Sequence, residues 1–191
     1  MRVGIIGDLH GLPISPELQR AIEISEPDFL LQAGDIWNAC TIEWPRPLYF
    51  IWGNHEICEN MKIPNTALTA GLHNIMGISI VALPSIPMPG DKPGPALYTQ
   101  DDYNKCLLVH DHVDIFISHG CGYPFWVYVK GEGKRINVED RALTHLIRKL
   151  KPSYAVSGHN HLYEKTVEEG ITLVRLGAEN QNAYDMLFFD G

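Results

Sequence analysis

The sequence predicts an α/β protein built on a mainly parallel β-sheet, with a second, more antiparallel sheet toward the C-terminus. Three observations carry that reading. Short apolar runs recur through residue 161, each ending in a turn with polar residues. Segments with helical spacing lie between some of them, and strand, helix, strand is the order that gives parallel pairing. The tail instead packs three strand-like segments together with little helix between.

The first run, Val3-Gly4-Ile5-Ile6, leads into Gly7-Asp8-Leu9-His10. Runs this short and continuously apolar suit strands buried on both faces. Residues 16–25 read as a helix, with Ser15 as cap and Pro16 at the first helical position, where a missing N–H is harmless. Phe29-Leu30-Leu31 then leads into Ala33-Gly34-Asp35, and Leu48-Tyr49-Phe50-Ile51-Trp52 into Gly53-Asn54-His55-Glu56. A further strand is expected at Ile78–Leu83. Ile115-Phe116-Ile117 leads into Ser118-His119-Gly120. Residues 138–150 set Val138, Ala142, Leu143, Leu146, Ile147 and Leu150 on one helical face and stop before Pro152. Tyr154-Ala155-Val156 leads into Ser157-Gly158-His159-Asn160-His161. Leu162–Glu168, Ile171–Leu176 and Met186–Phe189 complete the strands.

A chain of 191 residues is long enough to bury a sizeable core, and nothing in it reads as a linker, repeat or low-complexity tract, so one domain over 1–191 is expected. The formal charge of −8 gives no global pull toward nucleic acid or anionic membrane. Asp8 and His10 interrupt the N-terminal strand too early for a signal peptide, and no apolar run approaches the roughly 20 residues that span a bilayer. Cys40, Cys58, Cys106 and Cys121 are scattered and form no CxxC pair, which points to a reducing, cytoplasmic setting.

Ligands of open α/β sheets bind beyond the carboxyl ends of the strands. Five polar clusters fall there, delivering Asp8, His10, Asp35, Asn54, His55, His119, His159 and His161 to one rim. Extended chain sends residues i and i+2 to one side, so Asp8 with His10, and His159 with His161, are each expected to aim together. Imidazoles and carboxylates suit zinc, manganese or iron rather than copper(I). With His55 set aside, seven donors exceed one tetrahedral ion and suffice for two if a carboxylate bridges. His110-Asp111-His112 has the same HxH form but precedes its strand, at the wrong end for such a site. His73 and His145 belong to no cluster and read as structural.

The ordered series D-x-H, G-D, G-N-H-[DE], S-H-G and G-H-x-H resembles the calcineurin-like metallophosphoesterases, in particular their small, single-domain phosphodiesterases. The resemblance implies a four-layer α/β/β/α sandwich of two mixed β-sheets flanked by helices. It implies two divalent metal ions, manganese foremost, with zinc, iron, nickel or magnesium as alternatives. Asp8, His10 and His161 would hold one and Asn54, His119 and His159 the other, with Asp35 bridging. Two cations roughly 3.5–4 Å apart can clamp the attacking and leaving oxygens of a phosphoryl group, and a bridging hydroxide would be the nucleophile. His55 would face the substrate as a general acid or charge stabiliser, with Glu56 orienting an imidazole from behind.

The implied activity is therefore hydrolysis of a phosphodiester, with a nucleotide-derived substrate one form of it. A scaffold or binding protein that keeps the fold and little chemistry is the alternative, and a phosphomonoesterase a second. Residues 122–135 are the most individual stretch. Tyr123, Phe125 and Trp126 could stack on a nucleobase, with Lys130 and Arg135 near phosphates; the plainer reading is a loop packed on the core or at a contact between two copies. Cys40 and Cys121 follow metal blocks closely and read as small buried hydrophobes rather than ligands.

Overall fold

The computed structural model describes residues 1–10, 14–37, 42–55, 65–86, 97–123, 140–178 and 183–189, and the backbone alone of 125–129 and 134–138. Two mixed sheets form its centre. The first joins β1 (Arg2–Ile6), β2 (Phe29–Gln32), β3 (Leu48–Phe50) and the short β4 (Thr66–Ala67) in parallel, with β13 (Tyr184–Phe188) antiparallel beside β1. The second runs β11-β12-β10-β7-β6-β5. Its middle strands β6 (Ile78–Leu83), β7 (Ile115–Ser118), β10 (Tyr154–Ser157) and β12 (Ile171–Arg175) are parallel. Its edges β5 (Gly71–Ile75) and β11 (Glu164–Glu168) are antiparallel. The tail strands are thus shared between both sheets and do not make a second sheet of their own.

Side-chain alternation divides each strand between two cores, as the pleat requires. Val3, Ile5, Phe29, Leu31, Ile80, Ala82, Ile115, Ile117, Val156, Val174 and Leu187 fill the space between the sheets. From the same strands, Ile6 and Leu30 face outward, where Leu18 and Ile22 of α1 (Pro16–Ser25) cover them. On the far side Val81, Phe116, Ala155 and Leu173 meet α2 (Gln100–Leu107) and α3 (Arg141–Leu150) through Cys106, Leu143, Leu146 and Ile147. The layers are helix, sheet, sheet, helix.

The caps explain the helix bounds. Ser15 accepts the Leu18 N–H through its hydroxyl at 3.2 Å, and Pro16 follows, as expected. The second expected helix starts later than residue 138. Lys134–Val138 forms β9, and Asp140 caps α3 by accepting from Ala142 and Leu143 N–H at 3.0 and 3.1 Å. β9 pairs antiparallel with β8 (Phe125–Val129), and this hairpin belongs to neither sheet. Among the described residues no helix is long and apolar enough to cross a membrane.

Candidate metal centre

The turns after β1, β2, β3, β7 and β10 meet at one rim and are bonded to one another. The Asp35 carbonyl accepts from Leu9 and His10 N–H at 3.2 and 3.0 Å, and the His119 carbonyl from Gly158 N–H at 3.2 Å. Gln32, fully buried at the end of β2, donates its amide to the Gly7 carbonyl at 3.1 Å and to the Gly34 carbonyl, and accepts the Gly34 N–H at 2.9 Å. It staples the Asp8 and Asp35 turns together. The sequence reading passed over it; the signal was an amide ending an otherwise apolar strand just before Gly34-Asp35. Thr144 of α3 anchors the next turn, its hydroxyl donating to the Gly122 carbonyl at 2.7 Å.

Within the rim, atoms with lone pairs crowd one another. His10 Nε2 lies 2.9 Å from His161 Nε2, which lies 3.2 Å from Asp8 Oδ2. His119 Nε2 lies 2.8 Å from Asn54 Oδ1 and 3.3 Å from Asp35 Oδ2. Asp35 Oδ2 is also 3.9 Å from His10 Nε2, so it stands between the two groups. Two clusters have ligand atoms all within 4.8 Å: Asp8, His10 and His161, and Asp8, Asp35 and His119. His159 belongs to neither; its ring sits 5.0 Å from that of His119, and its N–H donates to Asp8 Oδ2 at 2.9 Å. The two histidines of Gly158-His159-Asn160-His161 therefore diverge, one toward each group, contrary to the expectation that they aim together.

The reason is backbone conformation. These turns are not extended: His10 (φ 47°), Asp35 (φ 55°), His159 (φ 67°) and His161 (φ 54°) all lie in the left-handed region. L-residues enter it at a cost of about 1–2 kcal/mol each, and such outliers gather at functional sites. Left-handed turns, not strand alternation, aim the donors.

Protonation follows the crowding. Burial works against the His119 imidazolium, but Asp35, Asp8 and the Ala33 carbonyl prevail and raise its pKa to about 9. Burial likewise lifts the Asp35 carboxyl, and the His119 ring, the His55 N–H and the His10 ring outweigh it, holding it at about 2. His159 is lowered to about 4 by burial and by the adjacent His119 ring. His10 is lowered by burial, against Asp8 and Asp35, whereas His161 is raised by its bond to Asp8.

This arrangement fits divalent cations. Donors about 2.1 Å from one ion, at angles between a right angle and tetrahedral, stand about 3.0–3.4 Å apart, close to the spacings above. Asp8 Oδ1 and Asp35 Oδ2 are buried with no hydrogen-bond partner among the described residues, an arrangement an anion tolerates when a cation completes it. His119 Nδ1 donates to the Ala33 carbonyl at 2.8 Å, which would leave Nε2 to coordinate a cation. The glycines of the motifs make the approach possible. A Cβ on Gly53 would stand 2.1 Å from Asp35 Oδ1, and one on Gly158 2.3 Å from Asp8 Oδ1.

His55 sits at the edge of this cluster. Its N–H donates to Asp35 Oδ1 at 2.9 Å, and its ring centre is 5.9 Å from that of His10. Glu56 and Lys130 lie outside the described residues, as do Cys40 and Cys58, and the side chains of Phe125, Trp126 and Arg135 do as well. The expected loop over 122–135 is in part the β8–β9 hairpin, whose register sets Trp126 opposite Asn137 and Tyr128 opposite Arg135. Tyr123 is corrected: it is 5% exposed, packed in the α3-side core beneath the Arg148 guanidinium at 5.3 Å, and offers no face to a nucleobase. Cys121 is buried, its sulfur accepting from the Asn160 amide at 3.1 Å and 2.8 Å from the Ser157 hydroxyl. It braces the His159–His161 turn. His112 of the other HxH is exposed and pairs with Asp114 at 3.0 Å.

Comparison with known proteins places this geometry in context. Residues 1–185 match the family model of the calcineurin-like phosphoesterase superfamily domain. No curated protein matches the chain. Among solved structures the fold is similar to that of TT1561 from Thermus thermophilus, at 10% identity and a TM-score of 0.54, over 93% of this chain and 89% of that one. It is similar to Vps29 from Cryptosporidium parvum, at 14% identity and a TM-score of 0.51, over 100% and 86%. GAP50, the anchor in the inner membrane complex of Plasmodium, aligns at 10% identity and a TM-score of 0.55, over 94% and 72%.

Proposed function

The chain belongs to the calcineurin-like phosphoesterase superfamily, and from that premise we propose that it is a two-metal phosphoesterase that hydrolyses phosphodiesters. One observation carries the proposal: donors from five turns lie within hydrogen-bonding distance of one another around two buried carboxylates, each with an oxygen left for a cation. In this reading Asp8, His10 and His161 would hold one divalent ion and Asn54, His119 and His159 the other, with Asp35 available to both. The ions, manganese foremost, would neutralise phosphoryl charge and lower the pKa of a bound water.

The remaining work falls to the protein. Asp35 fixes His55 by accepting its N–H. His55 Nδ1 is buried, so the proton it hands to the departing ester oxygen is the one on Nε2. Gln32 and Cys121 hold the donor turns in register, which matters because misplacement by about 1 Å costs roughly 10²-fold in rate. The preference for diesters over monoesters is drawn from the resemblance of the motif series to the small phosphodiesterases of the family. One domain in a reducing, cytoplasmic setting completes the proposal, supported by the buried free thiols of Cys106 and Cys121.

Reconstitution with manganese, followed by metal analysis and turnover of bis(p-nitrophenyl) phosphate, p-nitrophenyl phosphate and 2′,3′- and 3′,5′-cyclic nucleotides, tests it. Two ions per chain and faster diester turnover are expected. A firm stoichiometry of one, or no turnover of any ester, would sink the reading.

A further inference from the structure

We infer that Trp37 is an aromatic wall of the active site that favours phosphoesters carrying a planar aromatic ring, an inference that rests on the phosphoesterase reading above. Trp37 ends the turn Asp35-Ile36-Trp37, in which Asp35 points into the centre and Ile36 is fully buried in the α1-side core. Its φ of 49° is left-handed. Glycine or asparagine occupies that conformation with least strain, and a bulky side chain there is an outlier that calls for a reason. The consequence is spatial. The indole is half-buried, and its ring meets the His10 imidazole edge to face, centres 5.7 Å apart and planes at 80°. His10 in turn lies 5.9 Å from His55.

The indole therefore borders the donor cluster on its open side, where the His10 and His161 side chains are 27% and 46% exposed. A phosphoryl group drawn to cations that Asp8 and Asp35 would hold can be reached from solvent only on that side, which leaves its ester substituent beside the indole. Among the described residues, Trp52 packs on Phe50 at 4.8 Å and Tyr123 lies beneath Arg148, while Tyr163, exposed, donates its hydroxyl to Asp185 at 3.1 Å. Indole stacks on any planar ring with little regard to its identity, which suits nucleosides and aryl alcohols alike.

The test is calorimetric titration of the manganese-loaded protein with inorganic phosphate, ribose 5-phosphate and adenosine 5′-monophosphate. The wild type should bind adenosine 5′-monophosphate about ten- to a hundredfold more tightly than ribose 5-phosphate, the size of one base–aromatic stack. Trp37→Gly, which suits the backbone, should erase that advantage while leaving manganese stoichiometry and phosphate affinity unchanged, and Trp37→Phe should keep most of it. An advantage that survives Trp37→Gly, equal weakening of all three ligands, or no advantage in the wild type overturns the inference while leaving the phosphoesterase reading intact. A wild type that binds no phosphate and turns over no ester removes both.

Discussion

Replacing Gly53 by alanine should disable the centre without touching any donor. The new Cβ would stand 2.1 Å from Asp35 Oδ1 and 2.3 Å from the Asp35 backbone nitrogen, whereas real Cβ atoms essentially never come within 3.0 Å. A gap of roughly 0.9 Å must open, and because one obstacle is backbone, a side-chain rotation cannot supply it. The Asp35 turn has to retreat, stretching the 2.9 Å bond to His55 N–H and moving the carboxylate that stands between His10 and His119. Overpacking of this kind costs about 1–3 kcal/mol, a fall of roughly 2–12 °C in Tm for a domain of this size. A displacement near 1 Å should lower kcat about 10²-fold. Differential scanning fluorimetry of metal-free protein, manganese analysis after gel filtration, and turnover of bis(p-nitrophenyl) phosphate read the three effects. Gly77→Ala is the control, since Gly77 has φ 91° but nothing within 4 Å of a built Cβ; it should cost stability and spare manganese. If Gly53→Ala keeps wild-type manganese affinity and turns over within about threefold of wild type, the close-approach argument is wrong.

His55→Ala should retain both metals and lose about 10²–10⁴-fold in kcat on a diester with an alkoxide leaving group, but less when p-nitrophenolate departs; loss of metal would make His55 a ligand instead. His119 carries a proton in the metal-free protein up to about pH 9, and that proton must leave before Nε2 can coordinate. Manganese affinity should therefore climb with pH toward 9, with proton release seen as a buffer-dependent heat in calorimetry, and a pH-independent affinity between 6 and 9 would contradict the assignment. The same shift makes a stability statement. Raised from 6.5 to about 9, His119 supports the metal-free fold fully below pH 6.5 and loses that contribution as pH rises through 9. Asp35, lowered from 3.8 to about 2, contributes above pH 3.8 and ceases to as pH falls through 2. Metal-free Tm should then peak near pH 6.5, because His159, lowered from 6.5 to about 4, takes stability away as pH falls below 6.5. Asp140→Ala removes the cap of α3 and should cost about 1 kcal/mol, or roughly 2–4 °C, with metal content unchanged.

The strands that carry the donors were legible because each is buried on both faces, so an unbroken apolar run such as Phe29-Leu30-Leu31 leaves little room for another reading. β5 was not, because Gly71–Ile75 is an edge strand with exposed alternate positions and no apolar run to announce it. The same holds for α2, whose residues Gln100–Leu107 are mostly polar and bury only Cys106 fully. Val138 fitted the helical face of 141–150 by spacing, yet the Asp140 cap fixes the start after it, and caps override periodicity at boundaries. At the candidate site, the turns that meet were readable from the strand ends, and the directions of their side chains were not. Strand alternation would let His159 and His161 aim together, and φ values of 67° and 54° turn them instead toward His119 and toward His10. Tyr123 was read as a rim aromatic because it lies four residues after His119; the chain turns there under Thr144 and carries the ring into the α3 layer.

The left-handed donors also set selection for stability against selection for activity at the same four codons. Glycine or asparagine at positions 10, 35, 159 and 161 would relax the backbone while removing or weakening a proposed ligand, so on the two-metal proposal each step toward a sturdier metal-free chain is a step away from metal binding. A library randomised at those codons and sorted for heat resistance alone, in chelator, should drift to Gly and Asn; sorted in manganese, it should return to histidine and aspartate. A relative reading Gly or Asn at several of the four would be a protein that has stopped spending conformational freedom on metal, recognisable before any assay.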